Sequence, residues 1–398
     1  MCFLILSGLL IKMSWSRRRT TRTVHRLVGD VCGVRHRLDA SAWRHGRMLS
    51  PAPAAATNRP DRLVVAHRGA SGYLPEHTLA AYELAIAQGA DFVEPDLVAT
   101  ADGRLVVRHE NEIGATTDVA GRAEFADRRT TKVVDGEVRT GWFTEDFTLA
   151  ELSSLGAVER LPHLRPHSSA FDGMFSVVTF EEVLDLALRS RTAAGGPVGV
   201  LAELKHATYF AGLGLDLLPP LLDALDTADL GEEDDPVIVQ SFETTILRRL
   251  AAVSPVRIGQ LLKAAGAPYD LVAAGDPRSF ADLWSPAGLA EISRYADVVG
   301  LDKDLVIPCD AQGRLLRPTG VPAAAHDVGL EVFGWTFRRE NCFLPQEFRR
   351  GTDPGAPGDL AGEIATFLAA GMDSVITDHP DLARFAPVAA VHLEAAAA

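Results

Sequence analysis

From Leu63 onward the chain repeats one pattern. Short runs such as "LVVAH" (63–67), "FVEPDLV" (92–98), "GVLAELK" (199–205) and "PVIVQSF" (236–242) are continuously apolar rather than alternating, and "RIGQLL", "VVGLDKD", "EVFGWTF" and "SVITDHP" follow downstream. Continuous runs of this length are the pattern of strands covered on both faces. Between most of them lie amphipathic segments, "TLAAYELAIAQG", "TFEEVLDLALRS", "LLPPLLDALDTA", "ETTILRRLAAV" and "DLAGEIATFLAAG", several of them closed by glycine. Repeated strand–helix alternation predicts a parallel sheet, and eight such units predict an α/β (β/α)8 TIM barrel over residues 61–390, with an open doubly wound sheet as the alternative. No sequence repeat and no linker divides this region.

The regular spacing is broken once. Residues 110–175, between the "LVVRH" run (105–109) and the helix starting near Thr179, are polar and turn-rich, too long for an ordinary connection. They predict a loop-rich insertion after the strand-two hairpin, placed where an elaboration can shape a substrate site.

Charge changes the picture at the ends. Residues 1–60 hold ten Arg and one Lys against two Asp, a net +9, so of the total of −14 the remainder carries −23. An acidic body argues against nucleic acid as a partner. The leader "MCFLILSGLLIKM" has the length of a signal-peptide core but no basic residues before it, and "RRRTTRTVHR" stands where a cleavage site belongs. Three readings stay open: a poor signal or interfacial anchor, a disordered basic tail, or upstream sequence translated ahead of a start at Met13 or Met48. The run is too short to span a bilayer, and no stable membrane insertion is expected. Cys2, Cys32, Cys309 and Cys342 form no CxxC pair and set no compartment. The leader tilts the expectation to the cytoplasm, with export as the alternative. Residues 391–398 read as a disordered tail.

The candidate chemistry sits at the C-terminal ends of the predicted strands: His67 and Arg68, Glu94 and Asp96, His109, and Glu203 and Lys205. In a barrel these ends converge on one mouth. Glu94 and Asp96, two residues apart on a strand, face the same way. Two carboxylates aimed into one space repel unless a cation or proton joins them, and Glu203 adds a third. Such a set, with no cysteine and no HxxxH spacing, suits one hard divalent cation, Ca²⁺ or Mg²⁺. Arg68 and Lys205 offer charge to a phosphate, and His67 and His109 are a proton-transfer pair. Singly, each residue has a plainer reading as a cap or a solvated edge. Jointly, the apolar neighbours "FV" and "LV" make unpartnered burial costly.

The order "AHRGASGYLPEHT", "GADFVEPDLVATADGRLVVRHE" and "LAELK" resembles the glycerophosphodiester phosphodiesterase family over residues 62–385, and the long segment after the histidine resembles its larger bacterial branch. The resemblance implies a TIM barrel that hydrolyses a small-molecule glycerophosphodiester to glycerol 3-phosphate and an alcohol. It implies a divalent cation on Glu94, Asp96 and Glu203, acid/base work by His67 and His109, and attack by the substrate's own glycerol hydroxyl through a cyclic phosphate. It places Trp335 as an aromatic wall for glycerol, which a core tryptophan also satisfies, while Gln240, Phe242, Asp378 and His379 carry weaker signals and His379 reads as a turn residue. Pro95 departs from the family pattern and is expected to leave metal binding intact. Glu76 and His77 are expected to shape the loop and helix cap. A phospholipase acting on a lipid phosphodiester and a non-catalytic phosphodiester-binding protein remain alternatives. They differ at the rim and in the completeness of the acid/base set respectively.

Overall fold

The structure, a computed structural model, describes residues 62–386, so the expectations for the leader and the tail lie outside the described residues. Strand β1 (Leu63–His67) lies in parallel between β2 (Phe92–Glu94) and the last strand, β12 (Ser374–Thr377). Strand β3 (Asp96–Ala99) continues the line of β2 beyond Pro95 and forms an antiparallel hairpin with β4 (Leu105–Val107). Strands β7 (Gly199–Leu204), β8 (Val237–Ser241), β9 (Arg257–Leu262), β10 (Val298–Asp302) and β11 (Glu331–Phe337) complete the circle. With β2 and β3 counted as one, eight parallel strands close, because β7 pairs with both of them. All eight predicted strand runs and all five predicted helical segments are occupied by elements of the expected type.

The two-residue period of a strand explains why the barrel becomes a site. Val65, Leu201, Ile238, Val298, Phe333 and Ile376 form an apolar cluster of their own, separate from the larger core beneath the helices. Two residues further along the same columns stand His67, Glu203, Gln240, Trp335 and Asp378, and four beyond Val298, past Gly300, stands Asp302. Each column is therefore apolar inside the barrel and polar or aromatic at the mouth.

Helix α1 (Leu79–Ala87) starts where the Thr78 hydroxyl accepts from Ala81 N, and it buries Ala81, Tyr82 and Ala85. A Cβ on Gly69 would lie 2.7 Å from the Ala81 carbonyl carbon, and Gly69 has φ +88°, so the turn after β1 admits no side chain there. Helix α2 (Phe180–Arg189) opens on a capping box of Thr179 and Glu182.

Two expectations are corrected. The run "FVEPDLV" is not one strand, because Pro95 has no amide hydrogen to donate and the ladder is interrupted between Glu94 and Asp96. Within residues 110–175, the connection from β4 to α2 is more ordered than a loop-rich reading supposes. It carries a hairpin, β5 (Thr130–Val134) and β6 (Glu137–Gly141), with short helical turns before and after it. Among the described residues no helix is long and apolar enough to cross a membrane.

Candidate active site

The mouth of the barrel encloses a pocket of about 330 Å³. Of the eight residues singled out from the sequence, seven line it: His67, Arg68, Glu94, His109, Glu203, Lys205 and Trp335. Asp96 lies directly beneath, 1 % exposed, and completes a trio with Glu94 and Glu203 in which one carboxylate oxygen from each falls within 4.8 Å of the others.

The loop between β1 and α1 is built around this trio. Arg68 and His77 both take left-handed backbone angles, φ 59° and 58°, and His77 N donates to Arg68 O at 3.0 Å. Such a conformation costs a non-glycine residue on the order of 1 kcal/mol, so the surroundings must hold it. They do so through function-bearing groups. The Arg68 amide donates to Glu94 Oε2 at 3.0 Å, and its guanidinium donates to both oxygens of Glu76. His77 Nε2 is 2.8 Å from Asp96 Oδ2, and its Nδ1 is 2.8 Å from the Tyr82 hydroxyl. Of the expected role of Glu76 and His77, shaping the loop holds and capping the helix is corrected. Thr78 is the cap, while Glu76 holds Arg68 and His77 holds Asp96.

Three buried carboxylates do not ionise alike. Burial, then Asp96 and Glu203, push Glu94 well above its usual range. Burial lifts Glu203 to about 7 despite Lys205. Against the same burial penalty, Lys205, His109 and His77 hold Asp96 well below the usual carboxylate range. Lys205 Nζ stands 2.7 Å from Glu203 Oε1 and 3.2 Å from Asp96 Oδ1, yet neither oxygen has a well-directed hydrogen-bond donor. Buried acceptors left without donors are the donor set a hard cation takes, so the residues present fit a divalent ion.

Each histidine has its own carboxylate. His67 Nδ1 lies 2.6 Å from Asp378 Oδ1, and His109 Nδ1 lies 2.5 Å from Glu110 Oε1. An ionised carboxylate only accepts, so both rings carry a proton on Nδ1 and keep Nε2 as the free nitrogen. Burial, then Arg68, lowers His67 to about 4. Burial, Arg68 and Lys205 also lower His109, whose ring is 29 % exposed and more open to water.

Trp335 is half-buried, packs on the apolar barrel cluster and meets Phe242 edge to face at 5.6 Å between ring centres. It thus belongs to the core and to the pocket wall at once. His379 stands in the turn between β12 and a short helix, Pro380–Arg384. It is fully buried, with both ring nitrogens unpartnered, and packs edge-on against Tyr73. Sequence reasoning gave Asp378 little weight and missed Arg338, whose Nε donates to Asp378 Oδ2 at 2.8 Å while its guanidinium lies over Phe343. Lys303, also missed, reaches the same wall, held by Glu363 at 2.6 Å. Only Glu110, adjacent to His109, carried a local signal.

Comparison with known proteins gives the family and the fold. The profile of the glycerophosphoryl diester phosphodiesterase family matches residues 67–382. A glycerophosphodiester phosphodiesterase of Arabidopsis thaliana, GDPD6, is 34 % identical over 306 residues, covering 74 % of this chain and 78 % of its own. The glycerophosphodiester phosphodiesterase of Haemophilus influenzae is 29 % identical over 349 residues, covering 81 % and 88 %. Among solved structures, a glycerophosphoryl diester phosphodiesterase from Silicibacter pomeroyi superposes with a TM-score of 0.55 at 21 % identity, covering 81 % of this chain and 91 % of that one. An Oleispira antarctica phosphodiesterase in complex with the product sn-glycerol-3-phosphate superposes at 0.52 with 19 % identity, covering 81 % and 96 %. At such identities the structures speak for the barrel alone.

Proposed function

The chain belongs to the glycerophosphoryl diester phosphodiesterase family, and from that membership we propose that its barrel mouth hydrolyses small glycerophosphodiesters with the help of one divalent cation and two histidines. The phosphodiesterase activity itself is the family's. The cation and the roles of the residues are our reading. One observation carries that reading: two carboxylate-held imidazoles open onto the same pocket as Glu94, Glu203 and two cations, with the buried Asp96 completing the acidic trio.

Glu94, Asp96 and Glu203 would hold the cation, Ca²⁺ or Mg²⁺. When bound, it would withdraw charge from the phosphoryl oxygens. Arg68 and Lys205, fixed by Glu76, Asp96 and Glu203, would draw the diester's charge to the same spot before any bond changes. With Nδ1 committed to Asp378 or Glu110, each imidazole presents Nε2 for proton transfer. In the reacting state one ring is neutral and the other carries a second proton, on Nε2: the neutral one takes the proton of the substrate's glycerol hydroxyl as that oxygen bonds to phosphorus, and the protonated one gives its Nε2 proton to the departing alcohol oxygen as its bond to phosphorus breaks. Water then opens the cyclic phosphate with the proton movements reversed, releasing glycerol 3-phosphate. An attacking group carried by the substrate is already positioned. Trp335 and Phe242 offer the glycerol carbons an apolar wall. The catalytic unit we propose spans residues 61–390, and neither the lipid-cleaving nor the non-catalytic alternative gains support from the family match.

The test is release of glycerol 3-phosphate from glycerophosphocholine with and without chelator. Turnover that stops with chelator and returns with Ca²⁺ or Mg²⁺ is the expected result, and it should vanish in His67→Ala and His109→Ala while cation affinity persists. No turnover with any headgroup and any divalent ion would instead favour a binding protein.

A further inference from the structure

Neither Arg160 nor Arg165 lines the pocket, yet each grips the carboxylates on which the pocket's catalytic groups depend. Both belong to the long connection between β4 and α2, five residues apart. Arg160 donates from Nε and NH2 to the two oxygens of Glu76, at 2.9 and 2.6 Å, and from the same NH2 to Glu110 Oε2 at 2.7 Å. Glu76 is the partner of Arg68, and Glu110 is the partner of His109. Arg165 donates to Asp378 Oδ2 at 2.6 Å, to Glu340 Oε1 at 2.7 Å and to the Ser71 carbonyl at 2.9 Å. Asp378 is the partner of His67. The stretch that carries them is itself fixed, because Glu159 N donates to Asp172 and Leu161 N donates back to the Glu159 carboxylate.

We propose that Arg160 and Arg165 are positioning residues through which the β4–α2 connection sets the direction of both histidines. The inference rests on the acid/base reading of His67 and His109. The physical reason is directional. A carboxylate with one oxygen on an imidazole can rotate away from it unless the other oxygen is pinned, and Glu110 and Asp378 each have that second oxygen on an arginine. A planar guanidinium can bind two carboxylates in fixed directions, whereas a lysine ammonium presents a point charge with no fork. Arg160 is 24 % exposed and Arg165 is 6 %, so Arg160 is the position that tolerates replacement.

Arg160→Lys keeps the charge and removes the fork. It should lower kcat about 10- to 100-fold while KM for glycerophosphocholine and the melting temperature stay close to wild type. On top of Glu110→Gln the same change should add less than about threefold, since the brace then has nothing to aim. A second readout needs no turnover: imidazole ¹⁵N shifts of His109, assigned by their loss in His109→Gln, should report a proton held on Nδ1 in the wild type and averaged between the nitrogens in Arg160→Lys. Should Arg160→Lys unfold, the Nδ1 resonance of Glu110→Gln set against that of Arg160→Gln decides in its place. Unchanged shifts in the arginine variants, or fully additive losses in the double variant, overturn the brace. A wild-type Nδ1 proton lost in Arg160→Lys, together with full activity in His109→Ala, would sink the acid/base reading and leave the brace standing.

Discussion

Asp378, at the end of the last strand, places Oδ1 2.6 Å from Nδ1 of His67, at the end of the first. The two residues are 311 positions apart and meet only because β1 and β12 are neighbours that close the barrel. Asp378→Asn should leave the pocket and cation affinity intact but lower kcat by about 10²-fold, because an amide no longer fixes which ring nitrogen carries the proton. A kcat within a factor of two of wild type would exclude this role.

The acidic trio predicts a stability effect of the cation. Binding to the folded state alone stabilises it by RT ln(1 + [L]/Kd), about 2.7 kcal/mol at a hundredfold excess over Kd. Adding Ca²⁺ or Mg²⁺ to chelated protein should raise the melting temperature, and Glu94→Gln should abolish the rise. If the variant shifts as far as the wild type, the trio is not the cation site.

His67 titrates at about 4 in the folded protein, mainly through burial, against 6.5 in an unfolded chain. The folded state therefore takes up this proton later than the unfolded state. Its contribution leaves stability unchanged above about pH 6.5 and withdraws stability as pH falls from 6.5 toward 4. His67→Gln removes that loss. The melting temperature of the variant relative to wild type should rise between pH 6.5 and 4.5, and a difference independent of pH would contradict the assignment.

Gly72 is a packing requirement set by His379. A Cβ on Gly72 would meet the His379 ring at 2.2 Å, and that ring is fully buried. Gly72 N also donates to the Asp378 carbonyl at 2.9 Å, so a displaced loop would move the partner of His67. Gly72→Ala should cost about 1–3 kcal/mol and lower the melting temperature by several degrees. Trimming the ring with His379→Ala in the same chain should recover part of the loss, and failure of this rescue would mean that the clash lies elsewhere.

The barrel was legible in the sequence because its cause is local. A strand covered on both faces must be apolar throughout, a surface helix must be striped, and both patterns are written along the chain. The inward column that turns from Val65 to His67, and from Leu201 to Glu203 and Lys205, is written there too, since two-residue periodicity fixes which side chains share a face. That is why seven of the eight residues chosen from sequence line one pocket and the eighth lies beneath it.

What the sequence alone did not determine is who holds whom. Glu76 and His77 looked like residues that shape a loop and a helix cap, Asp378 like a weak signal, and Arg160 and Arg165 stood out in no way. Their roles come from closure of the barrel and from the β4–α2 connection folding back, which bring Arg160 to Glu76 across 84 residues and Arg165 to Asp378 across 213. Hydrophobic periodicity records burial against the nearest layer. The direction of a hydrogen bond between distant side chains depends on where whole elements come to rest, and that is decided only in three dimensions.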